Sequence, residues 1–288
     1  MTDLYAVIGN PISHSKSPDI HRMFAQQTGQ HIDYVRVEAP LDGFVATIER
    51  LREEGFKGCN VTVPFKFKAF ELAKDPRQHV RLSERAQSAK AVNTFRFDQG
   101  GLLFADNTDG AGLVRDIEQN LACPLHGRDL LLLGAGGAAW GVALPLLEAG
   151  ANIFIYNRTA SKAQELSHGL QVFLKREVYV ESGLGHGLPN FIDSYATLST
   201  QAFDFVVNAT SSGLKNEMPP LPEALFKQGA LAYDMMYGRE TPFMEFARAH
   251  GARVADGLGM LVEQAAEAFF IWRGVRPDTR SVLDALRQ

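Results

Sequence analysis

The feature that most constrains the fold is an apolar run that ends in a glycine turn and continues into a second apolar stretch. Leu130–Leu133 suit a buried strand, and Gly134, Gly136 and Ala139 follow at the spacing G-x-G-x-x-A. The first glycine permits a tight turn, the second lets the backbone approach a pyrophosphate, and the small third residue lets the next helix pack on the strand. The free N–H groups at the start of such a helix face phosphates. The pattern predicts a dinucleotide site, and a purely structural strand–turn–helix is the alternative.

The composition argues against several classes of partner. The formal net charge of −4 disfavours nucleic acid and anionic membranes, because both attract basic surfaces. Leu130–Leu147 carries no charge over a length near that of a membrane span, but its glycines and Pro145 favour a buried strand, turn and helix. Two cysteines cannot form a disulfide framework, and the N-terminus has no leader pattern, so we expect a cytoplasmic protein. The histidines lack metal-ligand spacing, so we expect no metal.

Short apolar runs alternate with helical patterns along most of the chain. The predicted strands are Tyr5–Ile8, Tyr34–Val37, Gly58–Val63, Leu130–Leu133, Ile153–Tyr156, Phe203–Val207 and Ala230–Tyr233. The predicted helices are Pro18–Thr28, Phe44–Glu54, Gly110–Leu121, Ala138–Ala149, Ser161–Ser167, Met260–Arg273 and Thr279–Leu286. This alternation predicts βαβ units, a mainly parallel sheet and an α/β fold of two domains that divide near Asp106–Gly110.

The strand after the glycine turn indicates which dinucleotide is bound. That strand ends in Asn157, Arg158 and Thr159, and Lys162 follows. An NAD site usually carries Asp or Glu about twenty residues beyond the glycines, to bind the ribose hydroxyls. A carboxylate there would repel a 2′-phosphate, whereas Arg158 can pair with it bidentately. We therefore predict NADP, and ordinary surface cations at a helix start are the alternative.

Polar residues follow two predicted strands in the first domain. Ser15 and Ser17 precede Pro18, which suits the first position of a helix, so their hydroxyls could hold a carboxylate there or could simply cap the helix. Thr62 and Lys66 lie at the end of another strand.

Asn93 and Asp109 belong to two further polar segments of the same domain. A lysine beside an aspartate is a candidate proton-transfer pair, and we predict Lys66 with Asp109. From the sequence, a structural ion pair explains these two residues equally well.

At these motifs the chain resembles the shikimate dehydrogenase family over nearly its full length. The matching segments are Gly9–His21 (GNPISHSKSPDIH), Asn60–Lys66 (NVTVPFK), Ala91–Thr94 (AVNT), Asn107–Asp109 (NTD), Gly134–Ala138 (GAGGA), Asn157–Thr159 (NRT), Asn208–Gly213 (NATSSG), Tyr233–Tyr237 (YDMMY) and Asp256–Gln264 (DGLGMLVEQ). Each motif is modest alone, but their common order is specific. The resemblance implies a substrate-binding and catalytic domain over residues 1–108 and a Rossmann-type NADP domain over residues 109–261. It also implies C-terminal helices, residues 262–288, that return to pack on the substrate domain.

The resemblance further implies reversible NADPH-dependent reduction of 3-dehydroshikimate to shikimate, a step of chorismate and aromatic amino-acid biosynthesis. Lys66 would be the general acid, paired with Asp109. The substrate-binding residues would be Ser15, Ser17, Thr62, Lys66, Asn93, Asp109, Tyr237 and Gln264. The cofactor-binding residues would be Glu84, Gly134, Ala135, Gly136, Gly137, Ala138, Asn157, Arg158, Thr159, Lys162, Met235 and Gly257. We also expect a homodimer. The alternatives are a quinate/shikimate dehydrogenase of mixed substrate use and a metabolite-sensing module without catalysis on the same fold.

Three places depart from the family's pattern. Trp140 stands near a position where a basic residue is common, and Lys90 replaces a common glycine before AVNT. The stretch Leu170–Leu198 looks irregular, and we interpret it as partly a variable insertion.

Overall fold

The chain folds into two compact α/β units, which confirms the predicted fold class. The structure, a computed structural model, describes residues 2–174 and 188–287. One unit comprises residues 1–112 and 261–288, and the other comprises residues 113–260. These divisions lie a few residues from the expected boundaries, and the role expected for each unit stays a prediction here. The described part of the chain has no helix that is long and apolar enough to cross a membrane.

The elements are numbered in chain order. The strands are β1 (Asp3–Gly9), β2 (Ile32–Glu38), β3 (Gly58–Val61), β4 (Val80–Leu82), β5 (Thr94–Phe97), β6 (Leu103–Asp106), β7 (Asp129–Leu133), β8 (Asn152–Tyr156), β9 (Asn190–Ile192), β10 (Phe203–Asn208), β11 (Phe226–Asp234) and β12 (Arg253–Ala255). The α-helices are α1 (Ser17–Thr28), α2 (Phe44–Glu53), α3 (Lys66–Lys74), α4 (Glu84–Ala89), α5 (Asp109–Arg115), α6 (Gly137–Glu148), α7 (Ala160–Leu174), α8 (Tyr195–Leu198), α9 (Pro242–Ala249), α10 (Leu258–Arg273) and α11 (Thr279–Arg287).

The sheet of the first unit is mixed rather than purely parallel. Its strand order is β2-β1-β3-β5-β6-β4, and β5 runs antiparallel to both β3 and β6. The reason is the short connection between β5 and β6, because antiparallel neighbours can be joined by a tight turn whereas parallel neighbours need a long crossover. Gly100 and Gly101 make that turn with φ of 78° and 84°, a region that glycine adopts readily.

The sheet of the second unit is entirely parallel. Its order is β12-β11-β10-β7-β8-β9, so the first strand of the unit, β7, lies at the centre and the direction of winding reverses between β7 and β10. This is the Rossmann order, in which ligands bind beyond the carboxyl ends of the strands at the reversal. Leu130–Leu133 are buried on both faces of the sheet, which explains their unbroken apolar run.

Every predicted helix is present, with differences at two places, whereas α3, α4, α8 and α9 were not predicted. The helix predicted over Gly110–Leu121 is α5 followed by a π-helical turn over Asp116–Asn120. The stretch Leu170–Leu198 contains the end of α7, then β9 and α8, and residues 175–187 of the expected insertion lie outside the described residues.

An aromatic cluster in the first unit joins α1 to the C-terminal helix α10. The His21 ring stacks on Tyr34 at 4.2 Å and lies within 6.1 Å of Phe24, Phe269 and Trp272, ring centre to ring centre. His21 is fully buried, and neither ring nitrogen has a hydrogen-bond partner among the described residues. Burial therefore lowers the pKa of His21 from 6.5 to about 3.

We predict that His21 makes the fold sensitive to acid. The neutral ring is favoured in the folded state, so stability is complete above pH 6.5 and is lost as the pH falls from 6.5 towards the folded pKa of about 3. Between pH 7.5 and pH 5.0, urea unfolding should show a loss of about 2 kcal/mol from this residue, at about 1.4 kcal/mol per pH unit below 6.5. His21→Phe should remove that loss, whereas the exposed control His31→Gln should keep it. Equal pH dependence in His21→Phe and the wild type would contradict the prediction.

Candidate active site

Lys66 and Asp109 lie at the starts of α3 and α5 and meet side by side in the first unit. Lys66 Nζ is 2.6 Å from Asp109 Oδ2, with the lysine side chain 30% exposed and the aspartate 9% exposed. The lysine is therefore partly exposed to solvent, and its ammonium can reach a ligand. The carboxylate is almost completely enclosed. The structure thus brings together the two residues that the sequence predicts as a proton-transfer pair.

Asn93 fixes the carboxylate of this pair. Its Nδ2 donates to Asp109 Oδ1 at 2.8 Å and to Thr108 Oγ1 at 3.0 Å. Its Oδ1 accepts from the backbone N–H of Thr108 and from Thr94 Oγ1, both at 2.9 Å. Asn93 is 2% exposed, so these bonds are shielded from water. Each oxygen of Asp109 therefore has its own donor, one from Asn93 and one from Lys66.

Gln264 on α10 approaches the same group. Its Oε1 lies 3.5 Å from Asn93 Nδ2 and 3.4 Å from Thr108 Oγ1, at the limit of hydrogen bonding. Its Nε2 donates to the carbonyl of Leu261, one turn earlier in the helix. Gln264 is half-buried and adds a further amide to the cluster around Asp109.

The predicted residues Ser15, Ser17 and Thr62 follow two strands that end at the same sheet edge. β1 pairs with β3 through Ile8 and Val61, and Thr62 N–H then donates to the carbonyl of Ile8 at 2.9 Å. Ser15 Oγ lies 3.2 Å from Ser17 Oγ and accepts from the Ser17 N–H at 3.3 Å. The Ser15 hydroxyl thus accepts one free N–H at the start of α1, whereas the N-cap residue is Lys16, whose side chain makes no capping bond.

The glycine turn of the second unit opens a cavity at the reversal of the sheet. Gly134 has φ of 106°, and a Cβ there would lie 3.2 Å from both the Ala209 carbonyl oxygen and Thr210 Cγ2. At Gly136 a Cβ would meet no atom within 4 Å, so space remains free in front of the N-terminus of α6. Ala139, the small third residue, is fully buried against the strand. The turn therefore combines a tightly packed side with an open side, as a pyrophosphate site requires.

The same cavity gathers every phosphate-side residue predicted from the sequence. Its volume is about 560 Å³, and its walls include Gly134, Ala135, Gly136, Gly137, Ala138, Asn157, Arg158, Thr159 and Lys162. Arg158, Thr159 and Lys162 are exposed, and neither cation forms a salt bridge with any of the described residues. Asn157 Nδ2 donates to the Thr159 carbonyl at 2.9 Å and fixes the bend after β8. The donors present fit a dinucleotide with an additional phosphate on the ribose.

Met235 and Gly257 also meet in the second unit. A Cβ on Gly257 would lie 2.3 Å from the Met235 carbonyl oxygen, so only glycine fits there. Tyr237, in the same segment, is half-buried, and burial raises the pKa of its phenol. Glu84 lies in the first unit, at the start of α4 and on its exposed side.

Comparison with known proteins decides the family. Residues 7–95 match the shikimate dehydrogenase substrate binding domain, and residues 257–287 match the shikimate 5′-dehydrogenase C-terminal domain. A protein of Methylobacillus flagellatus named shikimate dehydrogenase (NADP(+)) is 57% identical, with 99% of each chain covered. The chain belongs to the shikimate dehydrogenase family.

Two solved structures share the fold of this chain, and one of them is a shikimate 5-dehydrogenase. The enzyme of Thermus thermophilus in complex with NADP(H) and shikimate is 31% identical, with a TM-score of 0.82 and 99% of each chain covered. An Ael1 enzyme from Pseudomonas putida is 49% identical, with a TM-score of 0.87, 99% of this chain and 98% of that chain covered. The family predicted from the ordered motifs is thus confirmed.

Two of the three departures from the family's pattern, Lys90 and Trp140, have local explanations. Lys90 has φ of 48° and ends α4 in the left-handed conformation, which explains why a glycine is common at that position. The ring of Trp140 lies over Gly169 of α7, where a Cβ would come within 2.6 Å of Trp140 Cη2. Trp140 therefore fills space between α6 and α7, and Gly169 provides the room for it.

Several residues that organise the site were not predicted. Asn107 Oδ1 accepts from the Asp109 N–H, and its Nδ2 donates to the Ala91 carbonyl, both at 3.1 Å. Tyr34 OH donates to Asn60 Oδ1 at 2.8 Å, and Asn60 Nδ2 donates to Thr94 Oγ1 at 2.9 Å. Asn107, Asn60 and Thr94 lie inside motifs shared with the family, so those motifs could have indicated their role. Nothing in the sequence singles out Tyr34.

We predict that Gly136→Ala mainly weakens NADP binding and that Gly134→Ala mainly lowers the stability of the fold. Gly136→Ala should weaken NADP binding at least tenfold, because its Cβ projects into the open space, and should cost less than about 1 kcal/mol of stability as a change at a helix start. Gly134→Ala should cost about 1–3 kcal/mol of stability, because its φ of 106° suits glycine. Urea unfolding and calorimetric titration with NADP measure both effects. Unchanged NADP affinity in Gly136→Ala would show that the backbone there does not approach the phosphates.

Proposed function

We propose that the chain catalyses the reversible NADPH-dependent reduction of 3-dehydroshikimate to shikimate, in chorismate and aromatic amino-acid biosynthesis. The observation that carries the proposal is the contact between Lys66 and Asp109, with Asn93 holding the second carboxylate oxygen. Membership of the shikimate dehydrogenase family and relatives named for NADP support the reaction and the cofactor. The enzyme is accordingly an NADP-dependent oxidoreductase.

Lys66 is the general acid of this proposal. NADPH, when bound, supplies the hydride that reduces the carbonyl carbon, and the carbonyl oxygen then needs a proton. The Lys66 ammonium is the exposed member of the pair and donates that proton, while Asp109 orients the ammonium. In the direction of shikimate oxidation the neutral amine takes the proton from the ring hydroxyl. A fixed donor of this kind contributes about a hundred- to ten-thousand-fold to the rate.

The remaining polar residues of the first unit bind the substrate in this proposal. Ser15 and Ser17 hold the carboxylate at the start of α1, where backbone N–H groups favour an anion. Thr62, Asn93 and Gln264 bind ring hydroxyls together with Asp109. Thr62 and the loop that carries Ser15 follow strands that end at the same sheet edge, which supports this assignment. The contacts of Asn93 with Asp109 and Gln264 support it as well. The assignment of Tyr237 to the substrate, like that of Glu84 to the cofactor, stays a prediction.

The second unit binds the cofactor in this proposal. The glycine turn receives the pyrophosphate, and Arg158, Thr159 and Lys162 receive the 2′-phosphate. Met235 and Gly257 line the nicotinamide side. The cavity of about 560 Å³ that contains the turn and both cations supports the phosphate assignments.

We further propose that the enzyme acts in the cytoplasm, as two free cysteines suggest, and that small molecules rather than nucleic acid or membranes are its ligands. The homodimer expected from the sequence stays a prediction that light scattering after gel filtration decides.

Absorbance at 340 nm tests the reaction itself. Shikimate with NADP⁺ should give a rate well above that of quinate with NADP⁺ or shikimate with NAD⁺. Equal rates with quinate would point to an enzyme of mixed substrate use. Binding of shikimate without turnover would point to a metabolite-sensing module.

We predict that Lys66→Ala lowers kcat by about a hundred- to ten-thousand-fold with a smaller change in the substrate KM, because the proton donor is lost. Lys68→Ala is the matched control, since Lys68 lies in the same helix and its ammonium donates to the Leu41 carbonyl. Its kcat should equal that of the wild type. A rise in KM alone in Lys66→Ala would make Lys66 a binding residue and would leave the acid to Asp109 or to water.

We also predict that Arg158→Ala raises the KM for NADP⁺ much more than the KM for NAD⁺. Loss of a bidentate bond to the 2′-phosphate should cost about 1.5–3 kcal/mol, and NAD⁺ has no such phosphate. Arg248→Ala, an exposed arginine that pairs with Glu240, is the control and should leave both constants unchanged. Equal rises for the two cofactors would remove the argument for NADP selectivity from Arg158.

A further inference from the structure

We propose that Asp234 and Asn208 are positioning residues that hold the nicotinamide side of the cofactor site in register with its phosphate side. The proposal rests on the proposed function, because it takes NADP as the cofactor. Neither residue lines the cavity around the glycine turn, and both act through the segments that they hold.

Asp234 is a buried carboxylate that is satisfied by hydrogen bonds alone. It is 0% exposed, and no described lysine, arginine or histidine forms a salt bridge with it. Its Oδ2 accepts from Thr241 Oγ1 at 2.6 Å and from Asn208 Nδ2 at 3.2 Å, and its Oδ1 accepts from the Met236 N–H at 3.0 Å. A buried charge requires such a set of donors, so the geometry of all three groups is tightly fixed.

One side of this network ends at the nicotinamide segment. Asp234 is the last residue of β11, and its bond to Met236 sets the direction of the chain through Met235. The Met236 carbonyl in turn accepts from the Gly257 N–H at 2.8 Å, and the Met235 carbonyl lies where a side chain on Gly257 would be. A shift of Met236 would therefore displace both residues that we assign to the nicotinamide.

The other side of the network ends at the phosphate turn. Asn208, the last residue of β10, lies beside Asp234 in the sheet. Its Oδ1 accepts from Thr210 N–H at 3.1 Å and from Thr210 Oγ1 at 2.7 Å. The Thr210 methyl packs against Gly134, at the tight side of the turn. The pair thus connects Gly134 to Met236 through contacts that are buried at Asn208 and Asp234.

Because the Asp234–Asn208 network holds the nicotinamide segment in place, its loss should weaken the binding of one end of the cofactor more than that of the other. The adenosine end of the cofactor is bound by Arg158, Thr159 and Lys162, none of which contacts the network among the described hydrogen bonds. Loss of the network should therefore weaken contacts to the nicotinamide and leave contacts to the adenosine 2′-phosphate intact. A residue that only stabilises the whole unit would lower both affinities or neither.

The experiment compares two ligands of the full-length enzyme by calorimetric titration. Asp234→Asn replaces one acceptor oxygen by a donor, so either Met236 N–H or the Asn208 amide loses its partner. We expect the affinity for NADP⁺ to fall about tenfold, and kcat to fall because the nicotinamide is misplaced. The affinity for adenosine 2′-monophosphate, which carries no 5′-phosphate to occupy the glycine turn, should stay within about twofold. Thr241→Val keeps the shape but removes the donor to Asp234 and, with it, the acceptor of the Met244 N–H at the start of α9. Loss of the cap lowers stability alone, so a smaller change of the same selectivity between the two ligands remains the test if Asp234→Asn does not fold.

The matched control is Asp204→Asn on the same strand as Asn208. Asp204 lies at the opposite end of β10 and pairs with Lys227, so this variant should keep the wild-type ratio of the two affinities. Equal losses for both ligands in Asp234→Asn and Thr241→Val, or no loss in either, would overturn the proposal. Failure of the wild-type enzyme to bind NADP⁺ would instead contradict the proposed function.

Discussion

The candidate site of the first unit depends on the buried amide of Asn93. An ion pair that is partly withdrawn from water gains little unless the remaining oxygens and donors are satisfied, since desolvation offsets the Coulombic attraction. Asn93 meets this requirement for Asp109, while its own oxygen is held by Thr108 and Thr94. The carboxylate can then present one oxygen to Lys66 in a single orientation. Lys66 does not need such fixed hydrogen-bond partners, because its side chain is partly exposed and its ammonium can turn towards a ligand.

The two units form their candidate ligand sites from different chemical groups. In the first, strands of both directions bring side chains from separate segments to one place, and side-chain amides fix them. In the second, all strands are parallel, and the ligand space arises where the winding reverses, from backbone rather than from side chains. Glycine suits the second arrangement because bare backbone must approach the ligand, whereas asparagine suits the first because it offers a donor and an acceptor together.

The sequence predicted those parts of the fold that rest on local patterns. Leu130–Leu133 are apolar because their strand lies in a parallel sheet that is covered on both faces. The glycine spacing after them is typical of the tight turn between a strand and a helix at a dinucleotide site. The short strands β4, β5, β6, β9 and β12 were missed, since three or four residues carry too little periodicity to recognise. The same limit applies to the site. Lys66, Asp109 and Asn93 stand in motifs, but Tyr34 acts through a single contact with Asn60 that depends on the pairing of distant strands, and no pattern along the chain records that contact.

The division of the chain has a consequence for its synthesis on the ribosome. The second unit is one continuous segment, so it can fold as soon as residue 260 has emerged. The first unit precedes the second along the chain yet takes Phe269 and Trp272 of its aromatic cluster from a segment that follows the second unit. Its nascent strands must therefore wait, with apolar surface uncovered, through the production of the whole second unit. The unit whose translation starts first is therefore the last to be completed.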